Sequence, residues 1–499
     1  METVHSWVPL WACLTALFAV VPIVLVGRRF PNLRESFTFL AGVVMFGFVV
    51  SLLPTILSGK IVVCELLSIV PNVPLAFRVD GLGLLFAMVA SFLWVPTSMY
   101  SIGYMRGANE SNQTRFFAFF ALSLSATIGV AFAGNLLTLY VFYELLSLST
   151  FPLVTHHQDK EARGGGRTYL SHLLFTSVGF ALPAIIFCYF KTGGGEMDFS
   201  VSGFLADAEL TKFQSIVVLL LLTFGFAKNG LMPFHSWLPG AMVAPTPVSA
   251  LLHAVAVVKV GVFCVIRVFT GVFGLQLLGE LDIAIIVSWI AAFTVIVSSL
   301  IALTQDSLKR RLAFSTIGQL AYIILGVSLL TPHGVTGSMM HIAMHAFGKI
   351  TLFFCAGAIY VATHKKNISE MTGLGRKMPI TFACFFIGSL SVIGLPPTGG
   401  LISKFYLVIG TMQAEQPLLL VVFLISTILN ACYFLPIIIR AFYRTNEAGE
   451  STEFSWKSIK EAPVACVAPI VLTAVLSVAL FFFAWLPLDL ANLIVPMPK

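Results

Sequence analysis

Runs of about 20 predominantly apolar residues, the length that crosses a bilayer as a helix, begin near Trp7, Phe37, Leu82, Phe117, Leu136, Tyr169, Ser215, Pro247, Ile283, Leu312, Met340, Ile380, Leu418 and Val464. The pattern predicts an all-α polytopic membrane protein of about 14 transmembrane helices. The seventh run is interrupted by GLMP at 230–233 and the twelfth by GLPPTGG at 394–400. Glycine and proline at this density end a helix, so helices 7 and 12 are predicted to be broken. Backbone groups freed at such a break are tolerated in lipid only where protein or a wet cavity satisfies them. Between runs, residues 61–79 are expected as an external loop and 196–212 as a short surface helix. Asp80 is expected to cap helix 3. Helix 1 runs into Gly27, Arg28 and Arg29 without a small-residue cleavage site, so it reads as a retained helix rather than a removed signal.

Composition agrees: 58% of the 499 residues are hydrophobic and 10% charged, against about 25% charged in a soluble domain. The net charge of +7 would suggest nucleic acid, but its distribution points elsewhere. Nineteen of the 29 basic residues follow odd-numbered helices. They are Arg28, Arg29, Arg34, Arg106, Arg115, Lys160, Arg163, Arg167, Lys309, Arg310, Arg311, Lys365, Lys366, Arg376, Lys377, Arg440, Arg444, Lys457 and Lys460. The opposite loops hold Lys60, Arg78, Lys191, Lys212, Arg267 and Lys499. By the positive-inside rule the first set is cytoplasmic and both termini lie outside. Lys228, Lys259, Lys349 and Lys404 belong to no loop.

Eight cysteines are scattered singly and read as small buried hydrophobes, not ligands of iron–sulfur, zinc or haem groups. No phosphate-binding lysine loop or dinucleotide glycine fingerprint is present. No cofactor, metal or nucleic acid is therefore expected. His156 and His157 are expected to be solvated.

A lysine at bilayer depth costs roughly 2.5–3.5 kcal/mol on insertion scales, so it persists where it meets a partner or water. Four such lysines, with Glu144 as the one acid well inside an apolar run, therefore point to a buried polar pathway. A lone carboxylate there calls for a cation, and Lys228 is the expected partner of Glu144. Lys228 precedes the break in helix 7, and His235 follows it as a polar filler. In helix 8, His253 and Lys259 are six residues apart. In helix 11, His341, His345 and Lys349 recur at i, i+4 and i+8, one face over about 12 Å. A stripe of titratable groups suits proton hopping. Two histidines at i, i+4 also suit zinc, but no carboxylate accompanies them and a lysine continues the row. Ser315, Thr316 and Gln319 carry polar character into helix 10, where hydroxyls commonly serve helix packing. In helix 12, Lys404 follows the break. The two Gly-Leu-x-Pro breaks lie five helices apart, so the units containing them are inverted repeats, as in transporters whose sites lie at paired broken helices. The expected organisation is 1–110 (helices 1–3), 111–270 (first repeat, helices 4–8), 271–445 (second repeat, helices 9–13) and 446–499 (loop and helix 14).

Over residues 80–445 the chain resembles the antiporter-like subunit family: the proton-channel subunits of respiratory complex I and the corresponding subunits of Mrp-type sodium/proton antiporters and membrane-bound hydrogenases. FYELLS around Glu144, PFHSWLPGAMVAPTPVSALLHA, DSLKRRLAFSTIGQL, HAFGK and GLPPTGGLISKF carry the resemblance, in that order. It implies that Glu144 pairs with Lys228, that Lys259 with His253 links two half-channels, that His341, His345 and Lys349 continue the line, and that Lys404 gates exit. KVGVFCVIRVF and a lysine at 404 look nearest to the D-type subunit of Mrp antiporters and to the N-type subunit of complex I, without the long lateral helix of the L-type subunit. Two departures bear on Glu144: Tyr143 stands where the family often has tryptophan, and FPLV after the helix is not the usual run. The resemblance further implies a bacterial plasma membrane, other membrane subunits as partners, and protons, with sodium in the antiporter branch, as cargo. A redox-driven complex and a merely structural subunit are the competing readings; four buried lysines weigh against the second.

Overall fold

The computed structural model describes residues 2–195, 197–443 and 459–495; Arg444, Lys457, Lys499 and Glu196 lie outside the described residues. The chain runs through α1 (Val8–Val26), α2 (Pro31–Leu57), α3 (Gly81–Gly107), α4 (Gln113–Ala131), α5 (Leu136–Val154), α6 (Lys160–Lys191), α7 (Lys212–Gly225), α8 (Thr246–Phe273), α9 (Ala284–Thr304), α10 (Leu308–Ser328) and α11 (Pro332–Thr363). It continues through α12 (Pro379–Ile393) and α13 (Gly399–Gln413), then α14 (Pro417–Tyr443) and α15 (Val464–Phe482). Twelve of the described helices are long and apolar enough to cross a membrane; α7 and α12 are apolar but shorter, and each ends at one of the two expected breaks.

The layering follows from which helices are apolar all round and which keep one apolar side outward. α8 and α11 are enclosed on every side and α10 almost so, whereas α1, α2, α14 and α15 leave most of their surface outward. The outward residues are large and apolar, among them Phe18, Leu25, Leu424 and Ile428. The helices carrying His253, Lys259, His341, His345 and Lys349 are thus the innermost ones.

Three elements differ from the sequence expectation. Residues 61–79 are not a loop but a hairpin, β2 (Ile61–Val70) and β3 (Val73–Val79), with β1 (Thr3–His5) parallel to β2. Valine and isoleucine favour the pleated surface, and Asn72 at φ 61° makes the turn. Residues 197–211 form turns rather than a surface helix, because their amides bond elsewhere: Phe199 N–H to Gly134 O at 3.0 Å and Leu205 N–H to Val272 O at 3.0 Å. His156 is buried, not solvated, and burial pushes its imidazole down to about 4. Its neighbour His157 sits 3.2 Å from both Glu110 carboxylate oxygens, a contact that raises it.

Two charged groups counted to loops are buried. Arg34 packs with Glu35 at 3.1 Å, and Glu35 accepts from Arg106, so Glu144 is not the only acid held within a helix. Arg267 is 4% exposed and grips Asp80 through its two terminal guanidinium nitrogens at 2.5 and 2.6 Å. Asp80 caps α3 as expected, accepting from Gly83 N–H at 2.9 Å. The pair therefore ties the start of α3 to α8. Removing one member of a buried ion pair strands the other at a cost of roughly 3–5 kcal/mol. Arg267→Ala is accordingly expected to lower the thermal unfolding midpoint in detergent well beyond a surface Arg→Ala control such as Arg310→Ala.

Candidate ion-translocation site

α7 stops at Gly225, and Ala227–Asn229 form a single tight turn before Gly230 enters the left-handed region at φ 73°, a conformation glycine adopts without strain. The groups freed there find partners. Lys228 N–H donates to the Tyr143 hydroxyl at 3.2 Å, and Leu231 N–H donates to Asn229 Oδ1 at 2.8 Å. Asn229 Nδ2 donates to Thr223 O at 2.6 Å, Met232 N–H to Thr294 Oγ1 at 3.2 Å and Trp237 Nε1 to Ala227 O at 3.1 Å. The break is thus a built site and not a frayed end. Gly394, at φ 89°, opens the second break in the same way.

The Lys228 ammonium donates to Tyr143 O at 2.9 Å and Ser147 Oγ at 2.6 Å and lies 3.1 Å from the centre of the Tyr143 ring. It makes no ion pair with Glu144, against the expected pairing. Tyr143 faces Lys228, and the next residue on a helix points about 100° away. Glu144 therefore lies off the Lys228 contact, partly buried between Val141 and Leu148, with Oε1 enclosed and without a hydrogen-bond partner.

Lys404 donates to Val392 O at 2.8 Å and Ile393 O at 2.9 Å, and lies 4.6 Å from the Tyr322 ring centre. Those carbonyls are among the last of α12, where no intrahelical donor remains and the helix dipole favours a cation. Lys349 donates to Leu312 O at 3.2 Å and Ser315 Oγ at 2.7 Å. Lys259 meets His345 Nδ1 at 2.5 Å. All four ammonium groups are thus held by uncharged atoms. Hydrogen bonds involving a charge contribute roughly 1.5–3 kcal/mol each, so the two made by each of Lys228, Lys349 and Lys404 offset the insertion cost of a lysine.

His345 stacks on His341 with ring centres 5.7 Å apart, and His341 continues to Ser403 Oγ at 2.8 Å and Gln319 Oε1 at 3.1 Å. Lys259, His345, His341 and Ser403 therefore form one file that ends beside Lys404. Lys349 leaves the row and turns to α10. His253, in a widened turn of α8, faces Phe353 with ring centres 4.7 Å apart and neither nitrogen partnered. Lys228 reaches this file only across α8: Gly261 packs on the break so closely that a Cβ there would lie 2.7 Å from Asn229 Cα, and Lys259 lies about 200° around the helix from Gly261. Tyr143, Ser147, Ser315, Gln319, Tyr322 and Ser403 thus join the expected residues; FYELLS, GLPPTGGLISKF and the polar residues of helix 10 were their signal in the sequence.

A cavity of about 850 Å³ opens on the side bearing Lys309 and Lys365, lined also by His157, His235 and Ala244. Lys309 donates there to Ala244 O at 2.5 Å. On the opposite side, a cavity of about 590 Å³ is lined by Arg78, Asp80 and Arg267.

Residues 133–430 match the family model "NADH:quinone oxidoreductase/Mrp antiporter, TM", and residues 69–117 match "NADH-Ubiquinone oxidoreductase (complex I), chain 5 N-terminus". The N subunit of the NADH-quinone oxidoreductase of Desulforudis audaxviator is 30% identical, with 87% of each chain covered. The A-type subunit of the Na(+)/H(+) antiporter of Alkalihalophilus pseudofirmus is 31% identical over 83% of this chain, which spans about half (53%) of that relative's length. The fold is shared with a chain of the Mrp complex from Dietzia sp. DQ12-45-1b (TM-score 0.85, 21% identity, 98% of both chains). It is also shared with a chain of the membrane-bound sulfane sulfur reductase, an archaeal respiratory membrane complex (TM-score 0.84, 22% identity, 98% of this chain and 97% of that one). This multi-pass membrane protein belongs to the NADH:quinone oxidoreductase/Mrp antiporter family, whose members translocate protons and cations.

Proposed function

We propose that the chain moves protons across a bacterial plasma membrane as the D-type component of a multisubunit Mrp-type cation/proton antiporter. The observation that carries this reading is the file from Lys259 through His345 and His341 to Ser403 and Lys404 at the centre of the fold. Lys228 and Glu144 act on it from the other side of α8, with His253 and Lys349 beside it. The two cavities supply access from opposite faces. The basic face is cytoplasmic, which leaves both termini outside.

The fourteen-span, inverted-repeat arrangement is supported by a matched pair of contacts: Lys228 lies over Tyr143 of α5, and Lys404 over Tyr322 of α10, five spans later. α12 and α13 are read together as one broken span, and α7 with the turns after it as another. The divisions 1–110, 111–270, 271–445 and 446–499 follow.

Glu144 supports a partner. An acid at bilayer depth is not left to lipid, yet its neighbours Val141 and Leu148 are 39% and 54% exposed. Another membrane protein of the complex covers this face. Glu144→Gln is expected to cut proton-coupled transport about tenfold, the scale of coupling between linked sites, with the chain still inserted; full transport in the variant would remove Glu144 from the mechanism.

The second reading, a proton-pumping subunit of a redox-driven complex, is favoured by the Desulforudis audaxviator relative, covered over 87% of its length. Purification in mild detergent separates the two. Small membrane partners alone support the antiporter, and flavin or iron–sulfur partners overturn it in favour of redox coupling.

A further inference from the structure

α14 carries no charge at depth, yet Ser426, Asn430 and Tyr433 recur on it at i, i+4 and i+7, all buried, on the side away from exposed Leu424 and Ile428. The Tyr433 hydroxyl lies 2.9 Å from Ser315 Oγ and also bonds Asn430 Oδ1. The hydroxyl proton of Tyr433 goes to Ser315 Oγ, with the Asn430 amide against the same hydroxyl. A serine oxygen has two lone pairs, and the second accepts from the Lys349 ammonium, which donates to Ser315 Oγ at 2.7 Å and to Leu312 O at 3.2 Å.

One turn back on α11, His345 Nδ1 contacts Lys259, while its Nε2 is buried without a hydrogen-bond partner among the described residues. Residues at i and i+4 share a helix face, and long side chains on a helix lean toward its N-terminus. The orphaned nitrogen therefore lies within the arc that Lys349 sweeps.

We infer that Tyr433, acting through Ser315, is a positioning residue that latches Lys349 away from the histidine file. Lys349 has two stations: the hydroxyl cradle of α10, which it occupies, and His345 Nε2, where it connects to the file. The latch keeps the connection transient, so protons pass only in step with the rest of the cycle. This rests on the proposed proton transfer through Lys259 and His345.

The test is made in proteoliposomes containing the whole complex, reading driven proton-coupled transport and passive proton leak separately. Losing a hydrogen bond to the ammonium shifts a two-station ratio by about tenfold or more. Ser315→Ala is expected to raise the leak about tenfold and to lower coupled transport, and Ser315→Thr, which keeps the hydroxyl, to restore both. Tyr433→Phe raises the leak by a smaller factor and carries the test if Ser315→Ala does not assemble. A leak equal to wild type in the assembled hydroxyl-deleted variants, or a Ser315→Thr complex that assembles yet behaves as Ser315→Ala, overturns the latch. A wild-type complex without proton-coupled transport overturns the proposed function instead, so the two failures are distinguishable.

Discussion

Lys228→Met is expected to abolish proton-coupled pH changes in vesicles, lowering the rate at least about a hundredfold, which corresponds to a barrier raised by about 2.7 kcal/mol. Methionine keeps most of the length and apolar stem of lysine, so packing against Tyr143 persists and the protein stays inserted. What disappears is the group that bonds Tyr143 O and Ser147 Oγ and carries the charge. A pH-sensitive dye trapped in the vesicles, with membrane content measured by immunoblot, gives both readings. Wild-type transport in a correctly inserted variant would remove Lys228 from the pathway.

Lys259→Met has the next largest effect, about tenfold to a hundredfold on the same assay, on the scale of one charged hydrogen bond. Lys259 links α8 to the histidine file through its 2.5 Å contact with His345 Nδ1. Without it, His345 keeps two unpartnered nitrogens in a buried site. The effect belongs to the pair, so Lys259→Met and His345→Ala combined should cost little more than either alone; strictly additive losses would show that the two act separately.

Much of this architecture could be read from the chain because lipid leaves few choices. A run of about 20 apolar residues has one stable form there, and Gly230 to Pro233 and Gly394 to Pro397 could not continue it. The four lysines stood out because so little else in their helices is charged. Their partners did not, since Tyr143 O, Leu312 O, Val392 O and Ile393 O are backbone atoms present at every position and carry no residue signature. The Glu144–Lys228 pairing was drawn from the chemistry of a lone buried carboxylate and from the family resemblance. In α5, apolar residues surround the helix on every side, so periodicity did not reveal that Tyr143, and not Glu144, meets the Lys228 ammonium. Tyr143, a departure from the family's usual tryptophan, acquires a reason here: its hydroxyl accepts from Lys228 N–H, which an indole, a donor only, cannot do. The α14 stripe was passed over because it holds no charge.

The uncharged cradles around the four lysines also set how the sites speak to one another. Where an acid holds an ammonium, discharging the lysine leaves a negative charge behind, and the locality stays polarised whichever state it is in. At Lys259, Lys349 and Lys404 discharge leaves nothing behind, so each occupied cradle adds a full positive charge to the protein interior and each vacated one removes it. Two neighbours resist being filled together, and the arrival of one cation favours the departure of the next. In the proposed transport, mutual exclusion between like charges thus orders the filling of the sites alongside the swing of Lys349.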